Sequence, residues 1–194
     1  MTDSRLVVDP ARKIDPYAEL AALAPQLVGE VVEGVLHTQP RPSPRHAHAS
    51  SVLGEELGPP FRRGRGGPGG WILLDEPELH LGPRTDVLVP DLAGWRKERV
   101  AELPEADYFV VAPDWVAEVL SPSTLRLDRG AKLGIYRREG VRHVWLVDPV
   151  ARTLEVFRLT GDVYGWVATH EGDAVVRAEP FDAIELQLGL LWTT

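Results

Sequence analysis

Cysteine is absent from the 194 residues, methionine occurs once, and lysine occurs only as Lys13, Lys97 and Lys132. With no cysteine there is no disulfide, no thiolate nucleophile and no Cys-ligated zinc or iron–sulfur centre. The six histidines leave other metal sites open. No apolar run approaches the roughly 20 residues that span a bilayer. The N-terminal stretch MTDSRLVVDPARK has no long apolar segment of the signal-peptide kind. The expectation is a soluble, cytoplasmic protein with no membrane partner. Positive charge is also scarce: 21 Lys and Arg against 29 Asp and Glu give −8 and a pI near 5.3. Such a balance excludes a protein that coats nucleic acid non-specifically, because neutralising phosphates takes clustered Lys and Arg. It leaves room for an enzyme with a local basic cleft.

What is present is a chain with 44% hydrophobic residues, enough at this length to bury a core without staples. It reads as one domain over 1–194, with a flexible N-terminus at 1–14, a core at 28–149 and a β-meander extension at 150–194. Charge is unevenly spread. Segment 41–65 sums to +3 and segment 121–142 to +4, whereas 143–194 sums to −5. Either basic stretch is equally well an ordinary solvated face.

The element pattern is mixed. Residues 15–27 predict a short helix with Asp15 as N-cap and Pro16 in its first turn. Residues 28–37 predict a strand, bent or bulged at Gly34. QPRPSPR at 39–45 is loop, 45–57 is helical and closed by Gly58 and Pro59–Pro60, and RRGRGGPGG at 62–70 is a flexible loop. Strands are expected at 71–74, 78–81 and 86–93, the last disturbed by Pro90, and again at 115–120. SPST at 121–124 stops that strand and caps a helix over 124–139, ended by Gly140. The remainder reads as strands separated by turns. This order specifies an α+β, or mixed α/β, fold.

Three features carry chemistry. Glu118 interrupts the apolar strand WVAEVL, so it is either paired in the interior or set at a strand end facing a cleft. Asp91 follows Pro90 in another apolar run; capping local amides is the competing reading, and Asp86 competes with it as the strand acid. Asp128, Lys132 and Tyr136 fall at i, i+4 and i+8, one stripe of a helix. Asp128 and Lys132 alone would make an ordinary surface pair, but an aromatic on that stripe suggests a face turned inward. Two strand-borne carboxylates can hold a hard cation, and an ammonium beside them can orient a water or offset charge on a phosphoryl oxygen.

Pro90-Asp91, APDWVAEVLSPST at 112–124, DRGAKLGIYRREGVRHVWLVDP at 128–149 and RTLEVFRL at 152–159 together resemble the Uma-two family. That family is placed in the PD-(D/E)XK, or restriction-endonuclease-like, superfamily. LVGEVVEGVL at 27–36 and SPRH at 43–46 are similar to its N-terminal blocks. The resemblance covers about residues 28–192. It implies a restriction-endonuclease-like core of central mixed sheet flanked by helices. Its implied activity is an endonuclease hydrolysing DNA phosphodiester bonds with Mg²⁺ or Mn²⁺.

Residue by residue, the resemblance implies Asp91 and Glu118 as metal-binding acids and Lys132 as the catalytic lysine. The superfamily places that lysine two residues after the second acid, where this chain has Leu120; the following helix supplies it instead. Glu30, Asp128, Tyr136 and His46 are supporting residues, His46 being equally a hydrogen-bonding partner at a helix start. Arg126, Arg129, Arg62 and Arg63 are the expected phosphate contacts. Trp166 and Trp192 suggest a buried interface, and by analogy with nucleases that cut both strands a homodimer is expected. The alternative is a non-catalytic nucleic-acid-binding or assembly module on the same fold, since fold alone does not imply activity.

Overall fold

A computed structural model of the chain describes residues 15–24, 27–83 and 85–192; the expected flexible segment 1–14 lies outside them. After the short helix α1 (Pro16–Ala21), capped by Asp15, β1 (Leu27–Val32) and β2 (Val35–Pro40) form a hairpin. The sequence pattern reads this stretch as one bent strand. The chain instead reverses at Glu33-Gly34, both with positive φ (53° and 79°), the geometry whose twist matches a two-residue hairpin. Glu33 N donates to Asp86 Oδ1 at 2.6 Å, which fixes the left-handed turn.

Helix α2 (Pro44–Leu57) starts at Ser43, whose hydroxyl accepts from His46 N at 3.3 Å. It does not stop at Gly58. Pro59 and Pro60 bring no N–H, so the next turn closes through a longer bond, Arg63 N to Gly58 O at 3.2 Å, and Gly58–Arg62 is a π-helical turn. Ser43→Ala is expected to cost ~1 kcal/mol, read as a lower urea midpoint at unchanged slope.

Strands β3 (Trp71–Asp75), β4 (Leu79–Leu81), β5 (Asp86–Leu88), β6 (Leu92–Arg96) and β7 (Trp115–Val119) follow. The run 86–93 is thus two strands. Val89, Pro90 and Asp91 break the ladder and pass the chain from one sheet to the other. Next come α3 (Leu125–Leu127), a π-helical turn (Asp128–Lys132) and α4 (Leu133–Arg138), then β8 (His143–Asp148), β9 (Thr153–Thr160) and β10 (Val163–Glu171). The large sheet has the order β10-β9-β8-β7-β6-β3, with β7 and β8 parallel and the other pairs antiparallel; the smaller is β2-β1-β5-β4. No helix among the described residues is long and apolar enough to cross a membrane.

Alternation along β7 splits the core. Trp115, Ala117 and Val119 join Leu53 and Leu57 of α2 on one face, while Val116 and Leu120 join Ile135 and Tyr136 on the other. Glu118 shares the parity of Val116 and Leu120 and so points at the helix that follows it. The C-terminal meander is only partly an extension of the sheet. β9 and β10 continue it, but β11 (Val175–Val176) and β12 (Leu186–Gln187) form a separate ribbon. Around that ribbon Phe181, Leu186, Leu188 and Leu191 cover the α2 face, with the Phe181 ring edge-on to Trp115 and Trp145 at 4.8 and 5.6 Å. Trp166 is 67% exposed on β10, and Trp192 is half-buried with its indole N–H on Gly172 O.

Candidate active site

The C-terminal end of β7, the start of the following helix, the β5–β6 break and the first turn of α2 surround a cavity of about 270 Å³. At its lip Ser121 Oγ accepts from Thr124 N at 3.3 Å; Thr124, the N-cap residue, makes no side-chain capping bond to the helix. The helix then widens into the π turn that carries Asp128 and Lys132, a distortion frequent at functional sites. The whole predicted stripe points inward: Asp128, Lys132 and Tyr136 are all buried. The surface-pair reading of Asp128 and Lys132 is therefore excluded by their burial.

Lys132 Nζ lies 2.8 Å from Glu118 Oε1, 2.9 Å from Glu30 Oε1 and 3.5 Å from Asp128 Oδ1. Tyr136 OH donates to the same Glu118 oxygen at 2.5 Å, and Glu30 Oε1 also accepts from Val89 N at 2.8 Å. Glu30 thereby ties the lysine to the backbone of the β5–β6 break. Asp91, two residues farther along that break, accepts from Val119 N at Oδ2 (2.7 Å), and its Oδ1 lies 3.1 Å from His46 Nε2. Asp91 lines the cavity, but the amide it takes is not a local one as the capping reading expects: Val119 lies on β7, 28 residues on, and His46 reaches past the start of α2 to touch the other oxygen.

Charge in and around this pocket is lopsided: Glu30, Glu76, Asp91, Glu118 and Asp128 face Arg41, Lys132 and His46. Burial raises the Glu118 carboxyl well above the ordinary range; Lys132 opposes this, and the charges of Asp128, Asp91 and Glu30 add to it. Burial likewise raises Asp128. Burial pulls the Lys132 ammonium down, but Glu118, Glu30, Tyr136 and Asp128 together hold it well above its usual value, so it stays protonated. Burial lowers His46 as well, yet its hydrogen bond and attraction to Asp91 leave it raised.

The other expected residues lie elsewhere. Asp86 is buried and clamps the hairpin turn and Arg138 Nη2 (2.6 Å), away from the cavity. Arg129 is paired with Glu155 on β9, and Arg137 and Arg138 are spent on Asp162 O and on Asp86 and Glu139. Most of the +4 stretch is thus neutralised within the molecule. Arg126 is exposed and is not among the residues lining the cavity, and Arg62 and Arg63 lie roughly 20 Å away, past the far end of α2 at 1.5 Å per residue. The sequence reading missed Ser43, Arg41 and Ser121 as cavity-lining groups. Their signal lies in the Pro-rich 39–45 and SPST segments, which read as loop, cap and family blocks and not as site residues.

A mixed sheet with a single parallel pair crossed by a helix, with acids and a lysine gathered at its strand ends, belongs to the restriction-endonuclease-like class of α+β folds. The chain is a member of the Uma2 family, whose model, described as "Putative restriction endonuclease", matches residues 15–190. A crystal structure of a protein from Anabaena variabilis, described as a "putative nuclease", is similar over 92% of this chain and 97% of its own, with TM-score 0.72 at 22% identity. That likeness speaks to the fold. No curated protein matches the chain.

Proposed function

We propose that the protein is a nuclease that hydrolyses DNA phosphodiester bonds with the help of a divalent cation, Mg²⁺ or Mn²⁺. The observation that carries this reading is that Asp91, Glu118 and Lys132, from three separate elements, line one cavity. Among the described residues no three His, Asp or Glu side chains are grouped so as to hold a metal by themselves. Mg²⁺ does not need such a cage, since it binds through one or two carboxylates plus water and substrate phosphate. The excess of acid over base in the cavity suits the same ion. When bound, the cation would polarise a phosphoryl oxygen and acidify a water.

The protein's own groups have distinct parts. Asp91 and Glu118 would hold the cation. Lys132, kept charged by its three carboxylates, is suited to orient a water or offset charge on the phosphate, and unsuited to remove a proton. Glu30, Asp128 and Tyr136 fix the lysine and Glu118, and His46 steadies Asp91. With Mg²⁺ or Mn²⁺, purified protein should nick or cut members of a broad DNA and RNA panel, and a chelator should stop it. A panel left intact under all these conditions sinks the proposal. One observation favours a non-catalytic module: Glu118 and Asp91 already have partners inside the chain. Calorimetry with Mn²⁺ separates the two, because heat of binding lost in Asp91→Ala plus Glu118→Ala supports the nuclease, and its absence in the parent protein supports the module.

A further inference from the structure

A second cavity, of about 600 Å³, opens at the opposite end of the large sheet between Arg96, Arg99, Arg142 and His143. From Asp91 to Arg96 along β6 is roughly 17 Å at about 3.3 Å per residue, so it is separate from the acidic pocket. Its walls are fixed by their own contacts. The Arg96 guanidinium sits over the Trp71 ring, 4.1 Å from the centroid. Asp114 is used up in the wall: one oxygen pairs with Arg99 at 2.8 Å and the other accepts from Arg96 N at 2.8 Å. Glu179 is held by Arg158 at 3.0 Å.

Two cations are left over. Neither Arg96 nor Arg142 forms an ion pair through its guanidinium among the described residues, and the remaining acid, the exposed Glu98, also lines the cavity. His143 Nε2 is 3.8 Å from Glu179 Oε2, too far for a hydrogen bond, which leaves that ring nitrogen open to a ligand. Burial lowers the His143 pKa, with Arg158, Arg142 and Arg96 pushing the same way against Glu179. Two guanidinium groups without an ion pair offer the planar, charge-assisted donors that suit phosphate oxygens, and the imidazole beside Arg142 adds one N–H.

We propose that this cavity is a binding site for a phosphate group, held by Arg96, Arg142 and His143. It is independent of the catalytic reading and uses none of its residues. The group can come from a free phosphate ester or from a nucleic-acid strand; the cavity is large enough to admit more than the phosphate itself.

The test is calorimetry of the full chain with inorganic phosphate in chelator-containing buffer. Arg142→Ser removes an exposed side chain, and Arg96→Met keeps an apolar cover on Trp71. Each should weaken phosphate binding at least about tenfold, while Glu118→Gln leaves it unchanged and the His143 ring signals shift on saturation in the NMR spectrum. A short DNA strand with and without a 5′-phosphate identifies the source. Binding that needs the terminal phosphate and is lost in Arg142→Ser assigns an ester end; equal binding of both strands, lost in the same variant, assigns the backbone. No phosphate binding by the parent protein, or binding indifferent to both substitutions, overturns the site.

Discussion

Lys132→Met lowers the melting temperature by on the order of 10 °C. Lys132 and its partners Glu118, Glu30 and Asp128 are all 2–3% exposed. Removing one member of a buried ionic set costs about 3–5 kcal/mol, because the remaining charges lose their compensation without regaining water. For a chain of this size each kcal/mol is worth roughly 2–4 °C. The loss also depends on pH, with a definite sign. Without the ammonium, which holds them down, the Glu118 and Asp128 carboxyls, already raised by burial, rise further above their unfolded values. The native state then binds protons that the unfolded chain has released, so its stability falls as pH rises. Melting curves at pH 5 and pH 8 should show the variant's deficit growing between them. A deficit of the same size at both pH values, or none at all, removes Lys132 from the role of buried counter-charge. This cost also makes lysine substitutions a poor probe of chemistry, since lost activity and lost fold arrive together.

How much of this site could be read in the chain follows from the range of the interactions involved. Glu118 and the Asp128–Lys132–Tyr136 stripe are local signals, one a charge interrupting an apolar strand and the other a helical spacing, and both lead to the cavity. Asp91 was legible from Pro90, which marks where β5 must end. Glu30 was legible only as a motif position, because its bond to Lys132 joins residues from β1 and a distant helix. Arg129 was misplaced for the same reason: its partner Glu155 lies on β9, beyond any spacing rule. The hairpin at Glu33-Gly34 was missed because nothing in a Glu-Gly pair announces that a glutamate will accept positive φ, and what stabilises it there, Asp86, arrives 53 residues later. Likewise Phe181, deep among Trp71, Trp115 and Trp145, sits in a bend between β11 and β12, in a stretch whose sequence pattern reads as strands and turns and does not single it out as core.

Glu118→Gln should abolish cleavage while leaving the fold nearly intact. The amide is isosteric with the carboxylate, its oxygen can still accept from Tyr136, and Lys132 keeps Glu30 at 2.9 Å and Asp128 at 3.5 Å. The stability cost is therefore about 1–2 kcal/mol, that of weakening charged hydrogen bonds without emptying a cavity. Its effect on the proposed reaction is far larger. Losing one of two carboxylates removes several kcal/mol of charge stabilisation held through the cation, and 4 kcal/mol is about a 10³-fold fall in rate. Metal affinity supplies a readout separate from activity. Burial and neighbouring carboxylates raise the Glu118 carboxyl well above the ordinary range, and a metal binds only the deprotonated form. Mn²⁺ affinity of the parent protein should therefore climb with pH above the usual carboxylate range, while that of Glu118→Gln should be weaker and flatter. A variant that cleaves within about threefold of the parent rate, with an unchanged affinity profile, would take Glu118 out of the metal site.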